Sequence, residues 1–580
     1  MATSYWDKFT ELRVSRRRLL QGAGVAGATA SAVWIVGCGT SSAATGTATP
    51  ASGTPSAGGG AATGGLKYLN TGGTPKSGGT LNIGTSVDFD TFDPYLSIAG
   101  GPTYFPRLYN AIINRSPRDS SFRFDDLASS VEQPDDVTYI FTMRDNVMIG
   151  PNQAGVPERP LDAMDAQTSF ERIKQLKTSN AYAFVGTWVR SIAASADNKT
   201  LTIKTPQPYG YFFFRIGSPI NLIVPRELSD QPDKLKSSSA GGGPYVLNPG
   251  QYTEGQSATF AKNSKYYRRD SNNKNAQLPY IDGMNIKIIS DQASLRTAFQ
   301  SGQIDSYPAQ DVNDAKSLGS SFPTDKEPTD SFISVTMNPA KDPWKDERMR
   351  NAAMYALDRS VYVQRVYSGE AQANGIVHWS LGDYALPPSE LEKLQPYDPK
   401  KSKQLINAAT GQDTASVEVI WPADSIIEQH NLHLPIWLSQ MKDAGFDIQK
   451  KPQAFATWLD NYTNMRYAMS LALNQVYETA EFEMDFESKE GPAGNGTYAV
   501  GLGSMFPEIE QGIAQSKAIT DTTQQAAKVR DVQRLIYSKG PMFLPICTPY
   551  AFTLYQSYVK NIPVNIGTSG LFLNTWWLDK

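Results

Sequence analysis

The sequence is poor in the residues that build disulfide frameworks and metal centres: its 580 residues include two cysteines and three histidines. Cys38 and Cys547 are too few to staple a fold, so the chain must be held by burial. With 40% hydrophobic residues it can bury several cores, and its length predicts roughly three to four domains. His430 and His433 are spaced to share a helix face, but neither His378 nor any other third ligand stands nearby. A surface pair is therefore expected rather than a zinc or nickel site, and no metal or cofactor is expected. No Gly-x-Ser-x-Gly, Walker or dinucleotide fingerprint occurs, and Gly241-Gly242-Gly243-Pro244 reads as a turn. A net charge of −3 argues against nucleic acid or anionic lipid as partner. Past the N-terminal region no apolar run is long enough to cross a membrane. Carboxylates are plentiful, and a pair of them has no fixed spacing along a chain, so composition leaves a glycoside hydrolase open.

The N-terminus is informative. Ser15-Arg16-Arg17-Arg18-Leu19-Leu20 precedes a weakly apolar stretch, Gly22 to Gly37, that closes on Ile35-Val36-Gly37-Cys38. Basic, apolar and small-residue regions in that order make an export signal. The paired arginines resemble a Tat signal, and the ending resembles a lipoprotein box. Residues 1–37 are thus expected to be a cleaved signal and Cys38 a lipidation site, with an uncleaved anchor as the other reading. Either places the body on the extracytoplasmic face of a cell membrane. From Gly39 to Gly78 the composition falls to Gly, Ala, Ser, Thr and Pro, which cannot offset ordering entropy. Residues 38–78 are expected to be a disordered tether, averaging about 35 Å end to end.

Beyond Gly79, strand patterns occur at Thr80–Thr85, Val137–Met143, Thr200–Lys204 and Met284–Ile289. Helical periodicity occurs at Asp165–Leu176, Gln292–Gln300 and Asp346–Val366. In the last of these, Met349, Ala352, Ala353, Ala356 and Leu357 form one apolar stripe. Alternating helices and strands predict an α/β protein of several lobes.

An ordered series of motifs then carries a resemblance. It runs through Gly78-Gly79-Thr80-Leu81, Phe92-Asp93-Pro94, Leu108-Tyr109-Asn110 and Tyr139-Ile140-Phe141-Thr142-Met143-Arg144-Asp145. It continues with Gly243-Pro244-Tyr245, Lys262 to Tyr267, Ser301 to Asp305, Ala356-Leu357-Asp358-Arg359 and Tyr397-Asp398-Pro399. Together these resemble the family 5 extracellular solute-binding proteins of ABC importers. The resemblance implies a two-lobed periplasmic-binding-protein fold of cluster C, with an extra subdomain in the first lobe. Residues 79–116, 240–330 and 546–580 would form lobe I, 117–239 its subdomain, and 331–545 lobe II. It also implies a small solute, peptide or oligosaccharide, bound by hinge closure, a membrane permease as partner, a monomeric receptor and no catalytic residue.

The ligand-binding residues that the resemblance points to are Ile98, Ala99, Gly100 and Gly101, where glycines allow close backbone approach. Trp379 is a further candidate, as a stacking platform. Where peptide-binding members carry an aspartate for the peptide amino terminus, this chain reads Asn474-Gln475-Val476-Tyr477-Glu478. Glu478 is the nearest carboxylate; Asn474, Gln475 and Tyr477 would suit sugar hydroxyls. Glu481, Glu483, Asp485 and Glu487 alternate with Phe482, Met484 and Phe486, which predicts a solvated acidic face over an apolar one. A secreted hydrolase and a sensory lipoprotein on the same fold remain the alternatives.

Overall fold

The computed structural model describes residues 68–97, 104–115, 122–123, 126–177, 179, 181–271, 273–319, 321–329, 331–423, 428–475, 479–489, 491, 501–563 and 575–580. The expected export signal, Cys38 and most of the expected tether lie outside the described residues. The described chain divides into two compact units, one of residues 68–82, 88–286 and 558–580, the other of residues 83–87 and 287–557.

In the first unit residues from Tyr68 onward pack on the body, ahead of the expected start at Gly79. Tyr68–Leu69 pairs antiparallel with Ile562–Pro563, Asn70 Nδ2 donates to Val559 O at 2.6 Å, and Lys76 pairs with Asp579 at 2.6 Å. The end of the tether therefore packs on the body. Tyr68 and Leu69 break the small-residue composition and supply the apolar surface that the preceding residues lack.

The same unit contains a four-stranded antiparallel sheet built from β1 (Ala128–Asp135), β2 (Thr138–Met143), β3 (Ser191–Ala194) and β4 (Thr200–Lys204), in the order β1-β2-β4-β3. In β2, Tyr139, Phe141 and Met143 alternate into the core, and Tyr139 stacks on Phe212 at 3.6 Å. Helix α1 (Ala163–Gln175) opens on a reciprocal capping box between Asp162 and Asp165. A hairpin follows, β5 (Tyr245–Thr253) with β6 (Ser257–Lys262). The glycines before it are required by close approach. A Cβ on Gly241 would lie 2.3 Å from Leu108 O, and one on Gly243 would lie 2.5 Å from Arg107 O.

The second unit begins with α2 (Gln292–Gln300), β7 (Ser306–Pro308), β8 (Thr324–Pro328) and β9 (Ser331–Met337). Next come α3 (Glu347–Tyr355), β10 (Ala371–Ala373), α4 (Pro399–Thr410), β11 (Ala415–Pro422), α5 (Glu428–Asp443) and β12 (Phe446–Gln453). It finishes with α6 (Phe455–Thr463), β13 (Met469–Gln475), α7 (Ala480–Asp485), α8 (Pro507–Ala518), α9 (Thr522–Ser538), β14 (Phe543–Pro545) and β15 (Cys547–Tyr555). Five strands form a mixed sheet in the order β12-β11-β13-β9-β14, parallel between β12, β11 and β13 and antiparallel around β9. Every residue of β9 is buried, as a strand covered on both faces requires. Long β15 pairs antiparallel with β7, β8 and β10.

The expected strands and the first two expected helices form within a residue or two of their predicted ends. The helix expected over Asp346–Val366 does not run through: α3 stops at Tyr355, and Asp358 caps a new turn at Arg359–Val361 by accepting the Ser360 N–H at 3.0 Å. A short polar side chain that binds nearby backbone favours such a restart over helix continuation. The apolar stripe from Met349 to Leu357 is buried as expected.

Candidate functional site

In the first unit the approach to residues 98–101 is anchored by a buried ion pair. Asp93 is fully buried and takes both terminal nitrogens of Arg172, which rises from α1. The same carboxylate accepts the Tyr95 N–H at 3.0 Å, and the Arg172 guanidinium lies 5.1 Å from the centre of the Tyr95 ring. Tyr95 Oη donates to Leu222 O at 2.6 Å, and Tyr109 Oη donates to Phe92 O at 2.7 Å. The Asp93-Pro94 turn is thus fixed from three directions up to Ser97. Ile98, Ala99, Gly100 and Gly101 themselves lie outside the described residues, as do Tyr477 and Glu478 of the second unit.

Trp379 stands on a turn in the second unit, next to a wholly buried His378. The His378 Nδ1 accepts the Ser380 N–H at 3.1 Å, so the neutral ring carries its proton on Nε2 and donates it to Thr548 Oγ1 at 2.7 Å. Burial pushes this histidine down to about 3, so it is uncharged at neutral pH. Asn374 Nδ2 also donates to Thr548 Oγ1, at 2.7 Å, which ties the turn to β15. The Trp379 indole stacks on His378 at 5.1 Å and 28°, and meets Tyr550 of β15 at 5.7 Å. Lys326 stands 4.1 Å above the Tyr550 ring and pairs with Glu370 at 2.5 Å. Trp379 is only partly buried, yet its indole N–H is enclosed and meets no partner among the described residues. It is an aromatic platform with one unspent donor.

The end of β13 reaches the same region. Asn474 lies opposite Phe332 on β9, and the Phe332 ring is 6.0 Å from His378. The Asn474 side chain closes a buried polar ring: its Nδ2 donates to Ser334 Oγ at 2.5 Å, and its Oδ1 accepts from Tyr462 Oη at 3.1 Å. Ser334 and Thr336 (3.4 Å), then Thr336 and Tyr462 (3.3 Å), complete the circuit. Gln475 pairs with Ser331 at the strand end. Trp379, Asn474 and Gln475 are thereby brought onto one assembly of β9, β13 and β15.

The acidic run after Glu478 differs from the expectation. Glu481, Glu483, Asp485 and Glu487 are 3%, 2%, 6% and 0% exposed, on and after the short helix α7, and form no solvated face. Paired acids can be buried, and these have partners. Glu483 Oε2 accepts the His378 N–H, Asp485 pairs with Lys517 at 2.7 Å, and Glu487 accepts the N–H groups of Leu502, Met542 and Phe543. Burial outweighs those three bonds and pushes Glu487 up to about 7. Phe486 stacks flat on Phe543 at 5.0 Å and docks α7 against β14. His430 and His433 also differ from the surface pair expected: both are buried on α5, and His433 Nε2 bonds Tyr367 Oη at 2.9 Å. Among the described residues no three His, Cys, Asp or Glu side chains gather to hold a metal.

Comparison with known families decides the kinship. The family described as bacterial extracellular solute-binding proteins, family 5 Middle, matches residues 125–482. The chain belongs to that family. Among its relatives, a putative ABC transporter peptide-binding protein of Brucella ovis is 25% identical over 57% of this chain and 60% of its own length, so the match spans under two thirds of that relative. The substrate-binding protein CtaP of Listeria monocytogenes superposes with a TM-score of 0.70 at 18% identity, covering 87% of this chain and 100% of its own. NikA of Brucella suis, solved in complex with Fe(III)-EDTA, gives 0.70 at 17% identity, covering 86% and 100%. The fold of this solute-binding protein is therefore the two-lobed, mixed α/β fold of periplasmic binding proteins. Its family works outside the cytoplasm, in ABC importers.

Sequence reasoning missed the parts of this family 5 protein that hold the platform in place. His378 was weighed only as a metal ligand, and Glu483 only as surface charge. The available signal was one histidine beside one tryptophan, with an acid among three large apolar residues.

Proposed function

We propose that this protein is the solute receptor of an ABC importer, capturing a peptide, an oligosaccharide or a similar small solute by hinge closure and delivering it to a membrane permease. The observation that carries the reading is the Trp379 platform, an aromatic face with an unspent indole donor, held by the His378 turn in a chain of the solute-binding family. Apolar walls with a few placed polar groups are what small-molecule sites use. Trp379, Asn474, Gln475, Tyr477 and Glu478, with Ile98, Ala99, Gly100 and Gly101, form the proposed contact set. The protein acts as a monomer without a catalytic residue or cofactor. The lobe boundaries read from the sequence are part of the proposal. So is export by the Tat-type signal with lipidation at Cys38, which keeps the receptor close to its permease.

The test is thermal melting against peptides, oligosaccharides and metal chelates, with product analysis on the same mixtures. One ligand class is expected to raise the melting temperature with no turnover. If no class does so, or if product accumulates, the receptor reading fails. Glu478→Gln then separates the classes: a selective loss for amine-bearing ligands supports a peptide, and no loss supports a sugar.

A further inference from the structure

Two arginines are buried in the second unit, and they are treated differently. Arg350 gives its donors to four backbone carbonyls: Nε to Gly540 at 2.8 Å, Nη1 to Trp344 and Lys345 at 2.9 Å, and Nη2 to Lys539 at 2.6 Å. Arg359, 6% exposed, has one such bond, from Nε to Pro545 O at 2.9 Å. Its Nη1 and Nη2 are buried and meet no hydrogen-bond partner among the described residues. A guanidinium has donors and no acceptor, so its remaining N–H groups are unanswered and its charge has no contact partner among the described residues.

The titratable groups that act on Arg359 are Tyr537, Tyr362, Cys547 and Asp358, and none of them bonds its Nη1 or Nη2. The Asp358 carboxylate accepts the Ser360 N–H (3.0 Å) and hydroxyl (2.5 Å) through Oδ1 and makes no ion pair with Arg359. Tyr362 and Tyr537 donate their hydroxyl protons to Gln440 and Gln395, each at 3.2 Å. Burial raises both phenols and the Cys547 thiol, so all three are neutral. Water could take the donors but would leave the guanidinium without an anion in contact, and a buried charge without such a partner is strongly destabilising.

We infer that Nη1 and Nη2 of Arg359 hold a small monovalent anion, a halide or a planar oxyanion, enclosed by the Asp358–Val361 turn, the end of β14 and the start of β15. The planar fork of the guanidinium matches such an ion with two convergent N–H donors. The inference does not depend on which solute is carried.

Bromide is the probe. Anomalous diffraction from crystals of the wild-type protein grown in sodium bromide is expected to show a peak within hydrogen-bond reach of Nη1 and Nη2. A water without anomalous signal at that position overturns the inference, whatever any variant does. In solution, bromide titrated into gluconate at constant ionic strength is expected to raise the melting temperature saturably, by about 3 °C. Arg359→Gln is expected to abolish that rise. A wild-type protein with no saturable rise, or a folded Arg359→Gln that keeps it, also overturns the site.

Discussion

The carboxylate of Glu483 accepts the backbone N–H of His378 at 2.5 Å, so helix α7 holds the turn that presents Trp379. Replacing Glu483 by alanine leaves that buried amide without its acceptor. Glu483→Ala is expected to lose about 2 kcal/mol of stability in urea unfolding. It is also expected to weaken solute binding severalfold, because Trp379 is no longer held. Unchanged stability would show that water replaces the carboxylate.

Asn474 offers a contrast, since its bonds run inward to Ser334 and Tyr462. Asn474→Ala opens the ring, leaving the Ser334 and Tyr462 hydroxyls only their bonds to Thr336, and is expected to cost about 2 kcal/mol. In a double-mutant cycle with Ser334→Ala, coupling of about 1 kcal/mol is expected. Additive losses would mean that the ring is not a cooperative unit.

The Asp93–Arg172 pair supports the other candidate segment. Breaking a buried pair from one side is expected to cost about 3–5 kcal/mol, so Asp93→Ala should lower the denaturation midpoint markedly. The double variant Asp93→Leu with Arg172→Met should recover much of that loss, because no buried charge is then left alone.

Stability should depend on pH in two windows of opposite sign. Glu487 has a folded value raised to about 7 from 4.5, so the folded state holds the extra proton between these values and stability falls as pH rises through them. The loss reaches about 3 kcal/mol near neutrality, and Glu487→Gln should remove it, steepening the net rise in melting temperature that the histidines cause over the shared pH range. His378, His430 and His433 are lowered by burial to about 3, 4 and 3, so the unfolded state binds the extra protons below about pH 6.5. Their contribution is full above that pH and declines as pH falls toward the folded values. A Glu487→Gln profile that climbs more steeply than wild type as pH rises through the acid range, and keeps the histidine limb, supports both assignments.

Much of the fold was legible in local patterns. The Thr-Tyr-Ile-Phe-Thr-Met strand at β2, the helical period of α1 and the small-residue turn at Gly241–Gly243 are readable because propensity, side-chain period and turn chemistry act over a few residues. The family kinship was readable because such local motifs recur in order. The platform was less readable. Trp379 and the Asn474–Glu478 stretch could be singled out, but not the neighbours that brace them, since His378 meets Thr548 and Glu483 across long separations in the chain. The acidic run misled for the same reason: an alternating pattern records polarity, and it is blind to partners such as Lys517 or the amides of Met542 and Phe543.

By itself the sequence determined the class of molecule, an α/β protein of the solute-binding family, because short motifs recurring in order suffice for that. Tertiary structure alone decided which charges are buried and what answers them: Glu483 by the His378 amide, Arg350 by four carbonyls, Arg359 by nothing in the chain for its Nη1 and Nη2 groups among the described residues. Burial is a property of the packed assembly, and a buried charge takes its meaning from partners that only folding brings near.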